Sequence, residues 1–156
     1  MNLNFNQGRQ NISPYYPIML MSTALMRVIH LWDKGELPSS FDDLIKKKLL
    51  IVLFQALTRA LQSQNSDRSW GVNHFCKESA YVFIFLNELI TLPCVRLLHS
   101  SVDAAIKRGQ RFITKNQNDI RTPEYLRIEK VTYSSPMLSK AYILAALRAN
   151  PFRKAS

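Results

Sequence analysis

Apolar residues recur along most of the chain at three- and four-residue steps, the spacing of helices rather than of strands. A first helix is predicted from about Pro17 to Trp32, ending before Gly35 and Pro38. Its apolar side chains nearly encircle the helix axis. We therefore expect this helix to be buried on most sides.

A second helix is predicted from Ser40, a candidate N-cap, to Gln62. Asp42 and Asp43 lie in its first turn, where carboxylates complement the exposed backbone amides. A polar loop, 63–73, follows. The residues predicted to share the inward face are Phe41, Leu44, Ile45, Leu49, Val52, Leu53, Ala56, Leu57, Ala60 and Leu61, with Lys46, Lys47, Arg59 and Gln62 outside.

Three further helices complete the prediction. The third runs from Lys77 to Leu92, is apolar nearly all round and is stopped by Pro93. The fourth runs from Ser101 to about Gln117. The fifth begins at Ser135-Pro136, a cap followed by proline at the first helical position, and runs to about Ala149. The inward residues of the fourth helix are Val102, Ala105, Ile106, Phe112 and Ile113.

The pattern therefore predicts an all-α fold. Residues 1–13 are predicted to be an irregular lead-in, residues 14–149 one helical domain, and residues 150–156 a basic tail. The segment 124–133 is too charged for a buried strand and too β-branched for a clear helix, so periodicity leaves it undecided.

The amino-acid composition excludes several classes of protein. With four glycines and 47% hydrophobic residues, the chain is neither a disordered tail nor a turn-rich β-sandwich. Two cysteines are too few for a secreted disulfide scaffold, so we expect a reducing, cytoplasmic setting. The longest apolar run, 49–54, is far shorter than the roughly 20 residues that span a bilayer. The three histidines have no partners at zinc-like spacing, so no metal site is expected.

The net charge of +10 suggests nucleic acid or another polyanion as a partner. Residues 101–156 carry most of the excess, with 11 Lys and Arg against 4 Asp and Glu. The charge is spread over several elements, and no helix-turn-helix, zinc finger or stacking platform is evident. A nucleic-acid-binding domain therefore ranks below the alternatives that follow.

Two polar segments share a pattern. The first is Gln64-x-x-x-Arg68-x-Trp70, after the second helix. The second contains Gly109, Phe112 and Gln117 at the end of the fourth helix. The glutamines lie 53 positions apart, which suggests a degenerate repeat of helix hairpins. The first segment resembles the QW element of terpene cyclases, Q-x-x-x-G-x-W, with Arg68 at the glycine position; in that family the glutamine caps a helix end and the tryptophan packs beneath it.

A longer ordered set of segments is more specific. It consists of Ser13 to Met21 (SPYYPIMLM), His30 to Pro38 (HLWDKGELP), Phe54 to Leu57 (FQAL), Glu78 to Tyr81 (ESAY) and Ile128 to Tyr133 (IEKVTY). This set resembles the class II half of fungal diterpene synthases of the copalyl diphosphate and ent-kaurene synthase type. The resemblance runs from about residue 10 to residue 149.

The resemblance implies an all-α barrel of helix hairpins that holds geranylgeranyl diphosphate. An Asp-x-Asp-Asp motif protonates the terminal alkene in the family, and magnesium serves a separate ionisation domain with an Asp-Asp-x-x-Asp motif. Neither motif occurs here: Asp42-Asp43 lacks the first aspartate and is explained as a pair of helix-start carboxylates. The family places the acid motif upstream of Ser13 and the magnesium motif beyond this sequence, so no catalytic residue, cofactor or metal ligand is assigned to the chain.

The resemblance carries over one substrate contact. Lys130 matches the lysine of the family's Trp-Ile-Glu-Lys-Val-Thr-Tyr, which lies on the diphosphate side of the pocket. A lysine suits phosphate oxygens as a compact charge, while Glu129 could instead hold it structurally. Arg127 stands at the tryptophan position and Ser134 replaces a glycine. Gln64, Trp70, Gly109, Phe112 and Gln117 are expected to be structural.

Three hypotheses follow. The chain is part of a diterpene cyclase and needs the missing cyclase domains for activity. Alternatively, it is a cyclase-derived module that binds an isoprenoid diphosphate such as geranylgeranyl diphosphate, or a partner, without catalysis. The third is the nucleic-acid-binding domain already ranked lower.

Overall fold

A computed structural model describes residues 15–72, 74–118 and 136–149. These residues contain helices and connecting turns, with no strand among them, so the all-α fold class is confirmed. The predicted lead-in, the undecided segment 124–133 and the predicted basic tail lie outside the described residues.

The described residues form six α-helices, named α1 to α6, together with two 3-10 helices and one π-helical turn. The α-helices are α1 Tyr15–Asp33, α2 Asp42–Leu44, α3 Leu50–Gln62, α4 Cys76–Leu89, α5 His99–Asn116 and α6 Pro136–Arg148; Ser39–Phe41 and Pro93–Leu98 are 3-10 helices, and Ile45–Leu49 is a π-helical turn.

The central helix is α4, which contacts α1, α5 and α6. Most of its side chains are buried, among them Tyr81, Phe83 and Phe85. An apolar surface on all sides is satisfied only inside a core, so the sequence pattern correctly predicts this placement. The helix ends at Leu89, earlier than expected, and Pro93 begins a 3-10 helix instead of simply ending the preceding one.

The prediction that α1 is buried on most sides is wrong for the described residues. Only one stripe of this helix faces the core, at the three- and four-residue steps of Tyr15, Met19, Ser22, Met26 and Ile29. Leu20 and Met21, on other sides, are 47% and 49% exposed. The apolar surface of α1 is therefore wider than the core that α4 offers to it.

The second predicted helix is not continuous. Ser40 lies inside a 3-10 turn, and α2 starts at Asp42 without a side-chain cap, so the predicted N-cap is wrong. The π-helical turn adds one residue to a helical turn, which rotates the preceding residues by about 100° relative to α3. For this reason Phe41 and Leu44 are exposed, although strict α-helical spacing places them inward. Ile45, Leu53, Leu57 and Ala60 are buried as predicted.

The corner between α1 and α2 is held by a tertiary contact. The Trp32 indole N–H donates to Asp42 Oδ1 at 2.8 Å. Lys46 donates to Asp42 Oδ2 at 3.3 Å, and its ammonium lies 5.6 Å from the centroid of the Trp32 ring. The hydrogen bond from Trp32 and then that from Lys46 lower the pKa of the Asp42 carboxyl.

The last two helices agree closely with the sequence pattern. In α5, Val102, Ala105, Ile106 and Ile113 are buried and Phe112 is half-buried. Helix α6 begins at Pro136, the proline expected at its first position; Ser135 lies outside the described residues.

No single helix among the described residues has the length and hydropathy to cross a membrane. The segments Cys76–Leu89 and Pro93–Asn116 reach the threshold only as a pair that is bent by 114° at its break.

We predict that Phe83→Ala lowers the free energy of unfolding by about 3 to 5 kcal/mol, because it leaves a cavity inside the fully buried face of α4. Phe41→Ala is the matched control and should cost about 1 kcal/mol or less, since Phe41 is 40% exposed. Urea titrations followed by circular dichroism measure both. Equal losses for the two variants would contradict the central position of α4.

Candidate functional site

The loop that contains the QW-type pattern is anchored by Trp70, whose side chain is completely buried. Its indole N–H donates to the Ala60 carbonyl at 2.7 Å, near the end of α3. Its backbone N–H donates to Ser79 Oγ in α4 at 3.0 Å. Carbonyls in the last turn of a helix have no partner within the helix, so Trp70 satisfies one of them while filling the core.

The ring of Trp70 lies directly against the backbone of Gly109 in α5. A Cβ built at Gly109 would contact Trp70 Cζ3 and lie 2.8 Å from Cη2, closer than carbon atoms approach in proteins. Glycine in mid-helix weakens a helix relative to alanine. Here the absence of a side chain is what lets α5 approach the indole.

Gln64 connects the same loop to α5 through polar contacts. Its Nε2 donates to the carbonyls of Arg68 and Ala105, each at 3.2 Å. Its Oε1 accepts a hydrogen bond of 2.8 Å from Arg108 Nε. Ala105 lies in the middle of α5, so the glutamine does not cap a helix end as the resemblance implied; Trp70 performs that task at α3.

Arg68, at the glycine position of the motif, shows the backbone conformation that the motif requires there. Its φ is +79°, in the left-handed region that L-residues with a side chain disfavour. Its backbone N–H donates to the Asn65 carbonyl at 2.9 Å, and its own carbonyl accepts from Gln64. The turn thus keeps the conformation of a glycine turn with an arginine in it.

Gly71, the residue after Trp70, has a φ of +93°. A Cβ at this position would overlap the carboxylate of Glu78 in the first turn of α4. The loop is therefore closely packed against both α4 and α5, with a glycine at each contact.

A polar cluster closes the tip of the loop. Ser69 Oγ lies 2.6 Å from Asp67 Oδ1 and 2.9 Å from His74 Nδ1, and Asp67 Oδ2 lies 2.9 Å from that same nitrogen. In a nucleophilic triad the serine and the carboxylate contact different ring nitrogens. Here both contact Nδ1, and the buried Ser69 also accepts from Asn65 Nδ2 at 3.0 Å. The cluster is therefore a turn-stabilising network.

The same network lowers the pKa of the Asp67 carboxyl. Partial burial alone would raise the pKa of the carboxyl, but the side-chain and backbone hydrogen bonds from Ser69 and the nearby His74 outweigh it and lower the pKa.

The remaining residues that the sequence singled out are Phe112, Gln117 and Lys130, and none of them is shown in contact with this loop. Phe112 is half-buried against the core, whereas Gln117 is exposed just after α5 and Gln64 is half-buried. The two glutamines therefore do not occupy equivalent positions. Lys130 lies outside the described residues.

Sequence reasoning missed an aromatic cluster that joins α1, α4 and α6. The ring centroid of Tyr81 lies 5.2 Å from that of Tyr16 and 4.8 Å from that of Tyr142, and the outer two are 6.0 Å apart. Burial first, and then the neighbouring phenols, raise the pKa of Tyr81; burial and Tyr16 raise that of Tyr142 to about 12. The rings are distant in sequence, so no local pattern brings them together.

Within the described ranges, no group of three or more His, Cys, Asp and Glu side chains could hold a metal ion. The basic residues of α5 are partly engaged with neighbours in the fold. Lys107 forms a 2.7 Å ion pair with Asp103, and Arg108 donates to Gln64.

We predict that Arg68→Gly raises the free energy of unfolding by about 0.5 to 1 kcal/mol, because glycine adopts a positive φ without steric cost. Arg68→Ala is the control: it removes the same charge but keeps the Cβ, and should show no gain. Thermal melts of the three proteins make the comparison. A gain for the alanine variant would attribute the effect to charge rather than to backbone conformation.

We predict that Gly109→Ala lowers the free energy of unfolding by about 1 to 3 kcal/mol, although alanine favours helices, because the new methyl group meets Trp70. Combining it with Trp70→Phe, which shortens the ring, should cost less than the sum of the two single changes. A double-mutant cycle in urea measures the coupling. Additive losses would show that the two residues do not touch.

We predict that the stability lost in Asp67→Ala depends on pH. The folded-state pKa of Asp67 lies below 3.8, so its contribution is fully present above that value and disappears as the pH falls through the folded-state pKa. Unfolding curves between pH 7 and pH 3 for the two proteins test this. A difference that grows toward acid would mean that the sign of the shift is wrong.

Curated relatives identify the wider context of this fold. The chain is 42% identical over 140 residues to pimaradiene synthase pbcA of Emericella nidulans, covering 90% of this chain and 14% of that protein. It is 38% identical over 145 residues to copalyl diphosphate synthase of Talaromyces verruculosus, covering 91% and 15%. It is 29% identical over 143 residues to ent-kaur-16-ene synthase of Fusarium fujikuroi, covering 92% and 15%.

No protein-family model matches the chain, and no solved structure matches it. The chain spans about 15% of the length of the curated relatives. The match nevertheless extends over nine-tenths of the 156 residues. Over that length the chain belongs to the fungal diterpene synthase family.

Proposed function

We propose that this chain forms part of the class II half of a diterpene synthase. The activity of such an enzyme is the protonation-initiated cyclisation of geranylgeranyl diphosphate to copalyl diphosphate, followed by conversion to a diterpene such as ent-kaurene. The observation that carries the proposal is the identity of 42% to the pimaradiene synthase and 38% to the copalyl diphosphate synthase over about 90% of the chain.

The role of the described helices in that enzyme is to build one wall of a helical barrel. Carbocations need a dry, apolar and rigid surround, because water would capture them. A loop clamped to α3 by Trp70, to α4 by Ser79 and to α5 by Gly109 supplies rigidity without taking part in chemistry.

Lys130 is the proposed contact for the substrate diphosphate. An ammonium group is a compact charge that can donate to several phosphate oxygens. The proposal rests on its place in Ile128 to Tyr133, within the region of similarity.

Turnover requires groups that these 156 residues do not contain. The sequence has no Asp-x-Asp-Asp run to protonate an alkene and no Asp-Asp-x-x-Asp run for magnesium. Because the described residues offer no ligand set for a metal, we assign no step to magnesium in this chain. Both functions belong to other parts of the parent enzyme.

The test is a chimera of Talaromyces verruculosus copalyl diphosphate synthase in which this chain replaces the matching segment. We expect the chimera to form copalyl diphosphate from geranylgeranyl diphosphate, and the isolated chain to form none. Lys130→Ala should raise KM by about tenfold or more through the loss of a charged contact, with partial rescue by Lys130→Arg. Product analysis by mass spectrometry after phosphatase treatment measures both.

The matched control is Lys140→Ala, which removes an exposed lysine of α6 and should leave KM unchanged. Product formed by the isolated chain would contradict the dependence on other domains. A folded chimera without product would contradict the proposed function, and equal effects of the two lysine variants would contradict the assignment of Lys130.

A further inference from the structure

Helix α5 has a basic outer side. Its buried residues, from Val102 to Ile113, form one stripe against the core. Arg108, Arg111 and Lys115 are exposed, away from that buried stripe. Their steps of three and four residues place the three cations on one side of the helix, along about 10 Å of its axis. We name this row of three cations the basic stripe.

The charge of the basic stripe is not neutralised within the described part of the fold. Asp103 is the one carboxylate in α5, and it forms an ion pair with Lys107 at 2.7 Å. Arg111 and Lys115 have no ion pair or hydrogen bond with another described residue. Both cations are therefore available to an anionic partner.

The guanidinium of Arg108 is already oriented by the loop that Trp70 anchors. Its Nε donates to Gln64 Oε1 at 2.8 Å, and Gln64 is itself held by hydrogen bonds to the carbonyls of Arg68 and Ala105. The two terminal nitrogens of Arg108 have no partner among the described residues. A guanidinium in this state can donate two hydrogen bonds to one phosphate group, and less entropy is lost because the side chain is already fixed.

An apolar side chain lies in line with the basic stripe. Leu97 belongs to the 3-10 helix Pro93–Leu98, which runs directly into α5, and it is 97% exposed, whereas Val95 of the same helix is buried. Leu97 precedes Arg111 by about four helical turns, so the two residues lie on nearly the same side. A single exposed leucine needs no explanation by itself. Its alignment with three cations gives this side of the protein both apolar and cationic groups.

We propose that the side formed by Leu97 and the basic stripe docks on an anionic lipid membrane. The cations meet the phosphate and carboxylate groups of the lipids, and Leu97 enters the boundary between headgroups and acyl chains. This is attachment to a membrane surface; no single described helix has the length and hydropathy to cross one. Nucleic acid fits this side less well, because an exposed leucine adds nothing to contacts with a phosphate backbone. The inference goes beyond the proposed function and does not depend on it.

The experiment measures binding of the 156-residue chain to phospholipid vesicles by sedimentation. The vesicles contain phosphatidylcholine alone, or phosphatidylcholine with about one-third phosphatidylserine. Arg111→Gln combined with Lys115→Gln removes two charges from the basic stripe. Lys47→Gln combined with Lys48→Gln is the matched control, because it removes two exposed lysines from the π-helical turn before α3.

A second pair of variants tests the apolar contact. Leu97→Ser removes the aligned leucine, and Met137→Ser, at a residue of α6 that is 82% exposed, is its matched control. Circular dichroism establishes that each variant is folded. The unchanged protein and the four variants are also made as the copalyl diphosphate synthase chimera, in which the rest of the enzyme is present.

We expect the unchanged chain to bind anionic vesicles about tenfold or more tightly than neutral ones, with the preference lost at high salt. The double variant of the basic stripe should bind anionic vesicles about 25-fold more weakly, since each surface cation contributes about fivefold. Leu97→Ser should bind about tenfold more weakly. Both controls should stay within about twofold of the unchanged chain, and the chimera should show the same order.

Several results would overturn the inference. Equal binding to neutral and anionic vesicles, or equal losses in the basic stripe and its control, would show that this side is not the docking surface. Weaker binding of the charge variant with no effect of Leu97→Ser would make the basic stripe a general polyanion site, and tighter binding to a short DNA duplex than to anionic vesicles would assign it to nucleic acid.

The chimera separates this inference from the proposed function. Variants that weaken vesicle binding of the isolated chain but not of the chimera would show that the rest of the enzyme covers this side, which also overturns the inference. A chimera that binds anionic vesicles through Leu97 and the basic stripe but makes no copalyl diphosphate supports the inference and contradicts the proposed function alone. A chimera that makes product without binding vesicles contradicts the inference alone.

Discussion

The structure depends on the burial of one aromatic side chain between three helices. Trp70 ties a loop to the end of α3 and to α4 by hydrogen bonds, and its ring lies on the bare backbone of α5 at Gly109. Each contact restricts the others: the indole N–H donates to Ala60, while the Cζ3–Cη2 edge of the same ring meets α5 at Gly109. The positive φ values of Arg68 and Gly71 on either side are the backbone conformations that this placement requires.

Much of this arrangement could be predicted from the sequence, for identifiable physical reasons. The all-round apolar pattern of α4 permits only a central position, and Pro136 marks the start of α6 because its ring suits the first helical turn. The spacing of Gln64 and Trp70 indicated a packing loop. The partners of that loop, such as Ser79 and Ala105, could not be predicted, because each is a tertiary contact without a local signal.

The failures have equally specific causes. The expected cap at Ser40 is absent because the chain turns through a 3-10 helix there, and the nearby carboxylate of Asp42 bonds the Trp32 indole instead. Phe41 and Leu44 were misplaced because the π-helical turn breaks the 3.6-residue period on which the prediction relied. The burial of α1 was overestimated for a different reason: an apolar pattern does not show how many neighbours a helix has, and only the stripe from Tyr15 to Ile29 is buried.

The contact between Trp70 and Gly109 also has a consequence for synthesis on the ribosome. The loop and α5 are separated in sequence by the whole of α4. Trp70 therefore cannot pack against Gly109 until α5 has left the exit tunnel. Helices α1 to α4 would then be held as a loose, partly apolar intermediate while the next segment is translated. The pace of translation through α5 would therefore determine how long this nascent chain stays exposed to chaperones and to aggregation.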